Sequence, residues 1–520
     1  MADLLAESRK ETLDKDLDKI TFVEEATSVV ARSLVAPGLA LLFIALAAIV
    51  ASLFVIGQPQ AVIIVAAAAI GGYMALNIGA NDVANNVGPA VGAKALTLGG
   101  ALAIAAVFET AGALIAGADV VSTIAGGIVP PAVVGDTGAF INLMMAALLS
   151  SALWIHLATW LGAPVSTTHA IVGGVVGSGV AAAGAGAVHW SMMGGIAASW
   201  VISPILGGLV AAAFLAFVKA AIIYQDDKIT AARRWVPVLI GIMAGSFAAY
   251  LATKGLGQVV SLSGIQIAML GVGSYVLFWG ISKVHVKRQS EGMENRNQSL
   301  RKLFALPLIC SAALLSFAHG ANDVANAVGP LAAIVHAVED GAAGGMVSIP
   351  LWVMVIGASG ISIGLVLFGP RLIRMVGEQI TKLNPMRAFC VALSAAITVI
   401  VASWFGLPVS STHIAVGAVF GVGFFREWYT AKSKRRRAYL ERKMERLRAE
   451  RGASATIKEI SDRDAGDLET GGAPISREEI ARRKLVRRAH VTTIAAAWVT
   501  TVPAAALLSA AIFLVLDALA

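Results

Sequence analysis

Charged side chains are scarce in this chain. Only 14% of its 520 residues are charged and 7% are aromatic, whereas 57% are hydrophobic and the mean hydropathy is +0.78. So little charge excludes an ordinary soluble globular domain. There are only two cysteines, Cys310 and Cys390, both within apolar runs, so neither a disulfide framework nor a cysteine metal cluster is indicated.

The sequence also lacks the motifs of nucleotide-driven or hydrolytic chemistry. The stretch GPAVGAK does not have the spacing or the terminal Ser/Thr of a P-loop, so nothing supports ATP-driven pumping. Neither an HExxH in a membrane segment nor a GxSxG elbow is present. We therefore expect no enzymatic activity and no cofactor other than a coupling ion.

Long apolar runs are what the chain has instead. Several are near the length of roughly 20 residues that crosses a bilayer. They cover 34–56, 61–80, 97–118, 139–161, 190–223, 236–254, 265–283, 303–320, 347–369, 386–405 and 490–518, with shorter runs at 165–184 and 409–425. Alanine, glycine and leucine dominate them, which favours closely packed helices over a barrel. The sequence predicts an all-α integral membrane protein with about 10–12 transmembrane helices.

The net charge of +8 is concentrated in one segment. Residues 426–489 hold 19 Lys and Arg against 11 Asp and Glu. Because this segment lies between apolar runs, we interpret it as a basic cytoplasmic loop, not as a nucleic-acid-binding region. The basic loops at 224–235 and 284–302 are predicted on the same side. A polar segment, 1–33, precedes the first run, and no cleavable signal peptide is expected.

Two motifs occur twice in the same order. GANDVANNVGP begins at Gly79 and GANDVANAVGP at Gly320, while PVSTTHAIVGG begins at Pro164 and PVSSTHIAVGA at Pro408. The interval between the two motifs is 83 residues in one copy, from Asn81 to Pro164, and 86 residues in the other, from Asn322 to Pro408. This repetition predicts two structurally equivalent halves, an organisation typical of secondary transporters with a site between the halves.

The hydroxyl motif predicts an anion site. A proline followed by Ser and Thr is a helix-start signal, and the helix that follows is short and glycine-rich, as in a re-entrant hairpin. The unpaired N–H groups and the positive dipole end of such a helix attract anions. Capping or helix packing alone is the alternative. The candidate anion ligands here are Ser166, Thr167, Thr168, Ser410, Ser411 and Thr412.

The Asn/Asp motif predicts a cation site beside the anion. An ionised carboxylate inside a membrane costs several kcal/mol unless it is paired, so such acids are functional candidates. Glycine before and proline after each cluster indicate a broken helix with exposed carbonyl oxygens, and a structural cap is the alternative. The candidates are Asn81, Asp82, Asn85, Asn322, Asp323 and Asn326, with sodium possible at Asp82 and Asp323.

Glu109 is a third embedded acid, without a matching acid in the second half. A cation ligand and a packed, protonated or Lys-paired side chain are both open interpretations. For His169, His319 and His413, a structural hydrogen-bonded role is favoured over proton relay.

At these motifs the chain resembles the inorganic phosphate transporter (PiT) family, over about 61–219 and 303–518. The resemblance implies a secondary transporter of phosphate coupled to sodium or protons, with inverted repeats and hydroxyl motifs on helical hairpins around phosphate. It also implies which residues line that phosphate site. These are Asp82, Asn85, Ser166, Thr167, Thr168, Asp323, Asn326, Ser410, Ser411 and Thr412.

Three positions depart from the sodium-coupled pattern that the resemblance implies. Met144 and Ala392 stand where glutamates are usual, and Ile155 stands where a glutamine is common. Only Glu109 of that acidic set remains, so Na⁺ and H⁺ both stay open as coupling ion. A sulfate permease of the same family and, far behind, a membrane-embedded phosphoester enzyme are the alternative functions.

The resulting organisation is a polar segment (1–33), an extra transmembrane helix (34–60), repeat 1 (61–223), a linking helix pair (224–302), repeat 2 (303–425), the basic loop (426–489) and a C-terminal helix (490–520). We expect a multi-pass protein of the cell membrane. Its predicted partners are inorganic phosphate, a coupling cation and the lipid bilayer, and a homodimer is one possible assembly.

Overall fold

A computed structural model describes residues 34–58, 60–255, 260–340, 349–379, 383–433 and 488–519, with 438, 439, 441, 442 and 445. The predicted polar segment 1–33 and most of the basic loop 426–489 lie outside the described residues. Within the described residues the chain is helical between short turns and contains no strand. Eleven of the described helices are long and apolar enough to cross a membrane, which confirms the predicted all-α membrane fold.

The long helices are labelled here in chain order. They are α1 (Leu34–Val55), α2 (Ala61–Gly92), α3 (Leu98–Ala116), α4 (Thr137–Leu161), α5 (Thr167–Ala183), α6 (Trp190–Val218), α7 (Lys228–Lys254), α8 (Gly264–Gln289), α9 (Ala305–Asp323), α10 (Ala325–Asp340), α11 (Leu351–Gln379), α12 (Pro385–Trp404), α13 (Ser411–Lys432) and α14 (Arg488–Leu519). Shorter pieces at Ala118–Ser122 and Pro131–Val134 join α3 to α4, and Asn297–Leu303 precedes α9.

The helix carrying the first Asn/Asp motif is continuous, and the predicted break there is wrong. Helix α2 runs from Ala61 to Gly92 with Pro89 inside it. In the second copy, α9 and α10 meet at Val324, whose N–H still lies 3.3 Å from the carbonyl oxygen of Gly320, so the irregularity is local. Buried helices tolerate an internal proline when neighbouring helices support them, and here the motif side chains bond to other helices.

Helix pairs are arranged reciprocally around the two motifs. Helix α2 packs along α11, and α9 packs along α3; likewise α5 packs against α14, and α13 against α6. Each motif helix is therefore flanked by a helix that follows the other motif in sequence. These reciprocal contacts support the two-repeat organisation, which stays a prediction together with its inverted direction.

Glycines allow the closest of these helix contacts. A methyl group at Gly79 would overlap the carbonyl oxygen of Ile361, and one at Gly320 would overlap the carbonyl oxygen of Glu109. Gly112 and Gly364 make the corresponding approaches to Phe317 and Leu76. Because small residues let backbones approach, α2 meets α11 and α3 meets α9 directly behind the polar motifs.

The linking helices α7 and α8 form a hairpin beside this core, with α8 packed on α7. The loops at its open end are joined, because Asn295 accepts from the Lys228 N–H at 3.0 Å and donates to the carbonyl of Asp226 at 2.6 Å. The first described residues of the basic loop reach the same end, where Lys228 donates to the Tyr439 hydroxyl at 2.7 Å. These three loops thus share one side, as predicted; that this side is cytoplasmic stays a prediction.

Candidate anion and cation site

The two hydroxyl motifs begin helices α5 and α13 in the middle of the protein. The Ser166 hydroxyl accepts from the His169 N–H at 3.1 Å, and the Ser410 hydroxyl accepts from the His413 N–H at 3.2 Å. Both serines are about 1% exposed, so each helix starts in a buried environment. The two serines thus act as N-caps, and the motif threonines and Ser411 remain to contact other groups.

Asp82 and Asp323 are fully buried and face these helix starts. The Thr167 hydroxyl donates to Asp82 at 2.9 Å, and the Ser411 hydroxyl donates to Asp323 at 2.7 Å. Each aspartate is therefore held by the hydroxyl motif that follows it in sequence. Hydroxyl donors to a buried carboxylate offset part of its desolvation cost.

The third hydroxyl of each motif crosses to the other aspartate. Thr412 donates to Asp82 at 2.7 Å, and the Thr168 hydroxyl lies 3.4 Å from an Asp323 oxygen. Asn85 donates to the Thr412 hydroxyl at 3.0 Å, completing the crossed arrangement on the Asp82 side. The polar shell of each aspartate is consequently built from both predicted halves.

Asn326 is the counterpart of Asn85 and lies at the centre of the same shell. Its amide donates to the hydroxyls of Thr167 and Thr168, both at 3.2 Å, and is 3.4 Å from Asp323. The structure thus brings all ten predicted anion ligands together: Asp82, Asn85, Ser166, Thr167, Thr168, Asp323, Asn326, Ser410, Ser411 and Thr412. Their role in binding stays a prediction.

Asn81 and Asn322 brace the turns that lead into α5 and α13. Asn81 donates to the Thr159 hydroxyl at 2.9 Å and lies 3.3 Å from the Ala163 carbonyl. Asn322 makes the matching contacts with the Ser403 hydroxyl at 3.0 Å and the Leu407 carbonyl at 3.2 Å. These amides fix the position of the hydroxyl motifs relative to the aspartates; cation binding by them stays a prediction.

His319 is the only basic side chain described among these buried carboxylates. Its Nε2 lies 2.8 Å from an Asp323 oxygen and 3.7 Å from an Asp82 oxygen. Its Nδ1 lies 3.4 Å from a Glu109 oxygen. All four side chains are fully buried, so the imidazole stands between three carboxyl groups that can offset its own charge in this environment.

Glu109 is anchored by the last asparagine of the first Asn/Asp motif. The Asn86 amide donates to one oxygen of Glu109 at 2.7 Å, while the other oxygen faces His319. Of the open interpretations of Glu109, pairing with lysine is therefore wrong, because its described partners are an amide and an imidazole. The ligand atoms of Asp82, His319 and Asp323 lie within 4.8 Å of one another, a spacing at which a small cation could be held.

The histidines that end the hydroxyl motifs pack behind the site. The rings of His169 and His413 are 4.4 Å apart between centroids, and His169 meets Trp200 edge-on at 3.8 Å. Trp200 in turn donates to the carbonyl of Pro408, the first residue of the second hydroxyl motif, at 3.2 Å. These contacts join the starts of α5 and α13; a hydrogen-bonded structural role for the two histidines stays a prediction.

The three positions that depart from the sodium-coupled pattern lie in apolar surroundings. Met144, Ile155 and Ala392 are fully buried within the hydrophobic core. Their side chains offer no oxygen atom, and hard monovalent cations are bound by oxygen ligands. Among the described residues, only the Asp82, Asp323 and Glu109 carboxyls supply acidic oxygen close to the hydroxyl motifs.

Comparison with known proteins agrees with this geometry. A family model described as "Phosphate transporter family" matches residues 78–509, which include both copies of each motif. The chain belongs to the phosphate transporter family. A "Putative phosphate permease" of Helicobacter pylori is 46% identical over 96% of this chain and 98% of its own length. A relative of the same description from Pyrococcus abyssi is 38% identical over 69% of this chain and 87% of its own.

A solved structure supports the same assignment. A protein described as "The sodium-dependent phosphate transporter" superposes with a TM-score of 0.73 at 30% identity, covering 88% of this chain and all of that one. The predicted family and helical membrane fold are confirmed, and membership of a transporter family agrees with the expectation that the chain is not an enzyme. This chain is a multi-pass membrane protein of that family.

Two residues of this site are not predicted by the sequence to belong to it. The sequence favours a structural role for His319, although this residue precedes Asp323 by four positions and so shares its helix face. Asn86 is not predicted as a site residue, although it is the one position where GANDVANN differs in polarity from GANDVANA. Their common partner Glu109 is on another helix, so the sequence alone did not show that they meet.

Proposed function

We propose that this protein is a secondary transporter that carries inorganic phosphate across the cell membrane together with a proton. The observation that carries the proposal is the convergence of two buried helix N-termini, with their hydroxyls, on two buried aspartates beside His319. Phosphate is proposed as the substrate because the chain belongs to the phosphate transporter family. The proton is proposed as the coupling ion because of the side chains at the site.

The anion end of the site is suited to a tetrahedral oxyanion. The first N–H groups of α5 and α13 have no partner within their own helices, and both helix dipoles direct their positive ends to the same place. Thr167, Thr168, Ser411 and Thr412 add hydroxyls that can turn from the aspartates to an anion. Several donors from two directions match an anion with four oxygens.

A bound proton reduces the electrostatic repulsion between the carboxylates of this site and phosphate. Two aspartates and a glutamate would repel phosphate strongly in a buried environment. Protonation within the cluster of His319, Asp82, Asp323 and Glu109 lowers that repulsion, and proton release on the other side of the membrane restores it. Anion binding and proton binding thereby favour each other, which is the requirement for symport.

Sodium is the second candidate for the coupling ion, favoured by the similar solved structure, which is described as sodium-dependent. Two observations support the proton instead. Met144, Ile155 and Ala392 provide no oxygen ligands, and a histidine occupies the space between the carboxyls. Imidazole and carboxylate together are the usual groups of proton relays within membranes.

Transport by purified protein in liposomes tests both parts of the proposal. Labelled phosphate uptake is measured with an inward proton gradient and no sodium, and separately with an inward sodium gradient at equal pH, with the membrane potential clamped. We expect accumulation with the proton gradient, its loss on adding a protonophore, and weak competition by sulfate. The matched control is Asp323→Asn, which keeps the side-chain volume but removes a carboxylate and is expected to abolish accumulation.

Each contrary outcome has a distinct meaning. Failure to accumulate phosphate under either gradient would overturn phosphate symport. Accumulation only with the sodium gradient would overturn proton coupling while leaving phosphate transport intact. Sulfate uptake that exceeds phosphate uptake would identify the chain as a sulfate permease.

A further inference from the structure

The group formed by Asn86, Glu109 and His319 occurs on one side of the site only. In the register that aligns the two GAND motifs, Asn86 matches Ala327 and His319 matches Ile78. The position that matches Glu109 is identified by contact, since Glu109 lies against Gly320 as Ile361 lies against Gly79.

All three matching positions, Ala327, Ile78 and Ile361, are apolar and buried. The aspartates and hydroxyls are thus duplicated, whereas the Asn86–Glu109–His319 group exists once.

Asn86 differs from its neighbour Asn85 in what it contacts. Asn85 donates towards Thr412 and Asp82, inside the duplicated shell. Asn86 is 1% exposed and donates to Glu109 on α3 at 2.7 Å, outside that shell. The shortest side-chain contact of Glu109 is therefore with a residue that does not touch the proposed anion site.

The Asn86 amide constrains the carboxyl group of Glu109 in two ways. It occupies one oxygen, so that the other is presented to His319 Nδ1 at 3.4 Å. An amide N–H is also a donor that stabilises the charged form of a carboxylate and cannot itself take up a proton in the physiological range. Within the Asn86–Glu109–His319 group, only Glu109 and His319 can therefore exchange a proton.

We infer that Asn86 is a positioning residue of the coupling centre, which holds Glu109 against His319 and so confines proton coupling to one side of the two-fold site. This inference rests on the proton-coupled transport proposed above. In this inference the aspartates and hydroxyls, which occur in both halves, bind the anion. The Asn86–Glu109–His319 group, which occurs once, takes up and releases the proton.

The charged and titratable groups around Glu109 are few. Helix α9 contributes His319 and, beyond it, Asp323, while α2 contributes Asp82. Helix α11 contributes Ser362, which is neutral and lies 2.6 Å from the Thr110 hydroxyl.

On the α7 side, the titratable residues described near α3 are Tyr250, which packs on Phe317, and Lys254, which pairs with Asp119. Asp119 lies in Ala118–Ser122, beyond the end of α3, so His319 is the titratable group that is described in contact with Glu109.

The pH dependence of phosphate uptake tests the inference. In Asn86→Ala the amide donor to Glu109 is lost, and the carboxyl group is no longer held against His319. We expect the external pH at which uptake is half-maximal to rise by about one unit, as a lost hydrogen bond to a charged group implies. The KM for phosphate at acidic pH should change less than about twofold, because the anion site keeps all its donors.

A second variant and a control keep the test decisive. Asn86→Asp has nearly the same volume, places a carboxyl beside Glu109, and should shift the profile further in the same direction even if the alanine variant folds poorly. Ala327→Asn, the matching change in the other half, should leave the profile in place. A purely packing role would lower protein yield without moving the profile.

The outcomes separate this inference from the proposed function. Phosphate uptake by the unchanged chain with an unshifted profile in Asn86→Asp would overturn the role of Asn86 alone. Sodium-driven uptake that is independent of pH would overturn proton coupling and the inference with it. Absence of uptake by the unchanged chain would overturn the proposed function itself.

Discussion

Thr412 is the residue that ties the two motif systems together most directly. Its hydroxyl donates to Asp82 and accepts from Asn85, and the residue lies in the first turn of α13, in the other predicted half. A single side chain thus contacts the Asp82 carboxylate and an asparagine of α2, while its own backbone belongs to α13. This makes it the most informative hydroxyl to remove.

Replacing Thr412 with valine keeps the shape of the side chain and removes the hydroxyl. We expect the KM for phosphate to rise about ten- to hundredfold, since hydrogen bonds to charged groups contribute roughly 1.5–3 kcal/mol. Thr398→Val is the control, because the Thr398 hydroxyl is equally buried but bonds only to the Ser394 carbonyl one turn earlier. Similar KM values for the two variants would contradict the proposed role of the hydroxyl motif.

At this scale the sequence predicted the residues that occur in repeated motifs and missed those that act through tertiary contact. Asp82, Asp323 and the hydroxyls stand out because each pattern occurs twice, and the structure brings them together. His319 and Asn86 each occur once, and their meeting point is Glu109 on α3. Nothing in sequence spacing indicates that α2, α3 and α9 converge there.

Helix contacts through glycine set the element-scale constraints on the site. Gly79 and Gly320 lie one turn or less before Asp82 and Asp323, and each touches the backbone of a crossing helix. The aspartates consequently sit at a fixed depth relative to α11 and α3. A shift of either contact would move a carboxylate out of reach of its hydroxyls.

Gly79→Ala should separate α2 from α11, because the added methyl group meets backbone atoms that cannot rotate away. Overpacking of this kind costs about 1–3 kcal/mol, so we expect a lower melting temperature in detergent and a loss of uptake. The control is Gly88→Ala in the same helix, where nothing lies within 4 Å of the added group. Equal stability of the two variants would show that the α2–α11 contact does not constrain the site.

Helix existence was predictable from hydropathy, whereas helix ends and continuity were not. The apolar run 236–254 begins after two arginines, yet α7 begins at Lys228, because a helix can extend beyond the apolar stretch when an N-cap such as Asp227 is available. The glycine and proline of the first motif indicated a break that α2 does not have. Gly79 serves helix packing here, a use that local propensity cannot distinguish from a turn.

At the scale of the whole molecule, the joined loops define one side of the protein. The loops 224–228 and 290–296 are bonded to each other, so residues 260–263, which lead into α8, lie at the opposite end of that hairpin. The positive-inside bias predicts that the joined loops lie in the cytoplasm. Orientation is therefore testable with two exposed positions.

Cysteine labelling in a background with Cys310→Ala and Cys390→Ala measures that orientation. Glu294→Cys and Val260→Cys introduce thiols at side chains that are 65% and 50% exposed, respectively. An impermeant maleimide should label Val260→Cys in intact cells and label Glu294→Cys only after the membrane is opened. The reverse pattern would place the basic loops outside.

The crossed hydroxyls also bear on how such a protein could have begun. Since Thr412 completes the shell of Asp82 and Thr168 that of Asp323, a chain of half this length could assemble either shell only by pairing with another copy of itself. On the predicted two-repeat organisation, the present molecule corresponds to such a pair joined in one chain, in which one copy of each position can change independently. His319, Glu109 and Asn86 are what a strictly symmetric pair could not have: a chemical difference between its two sides.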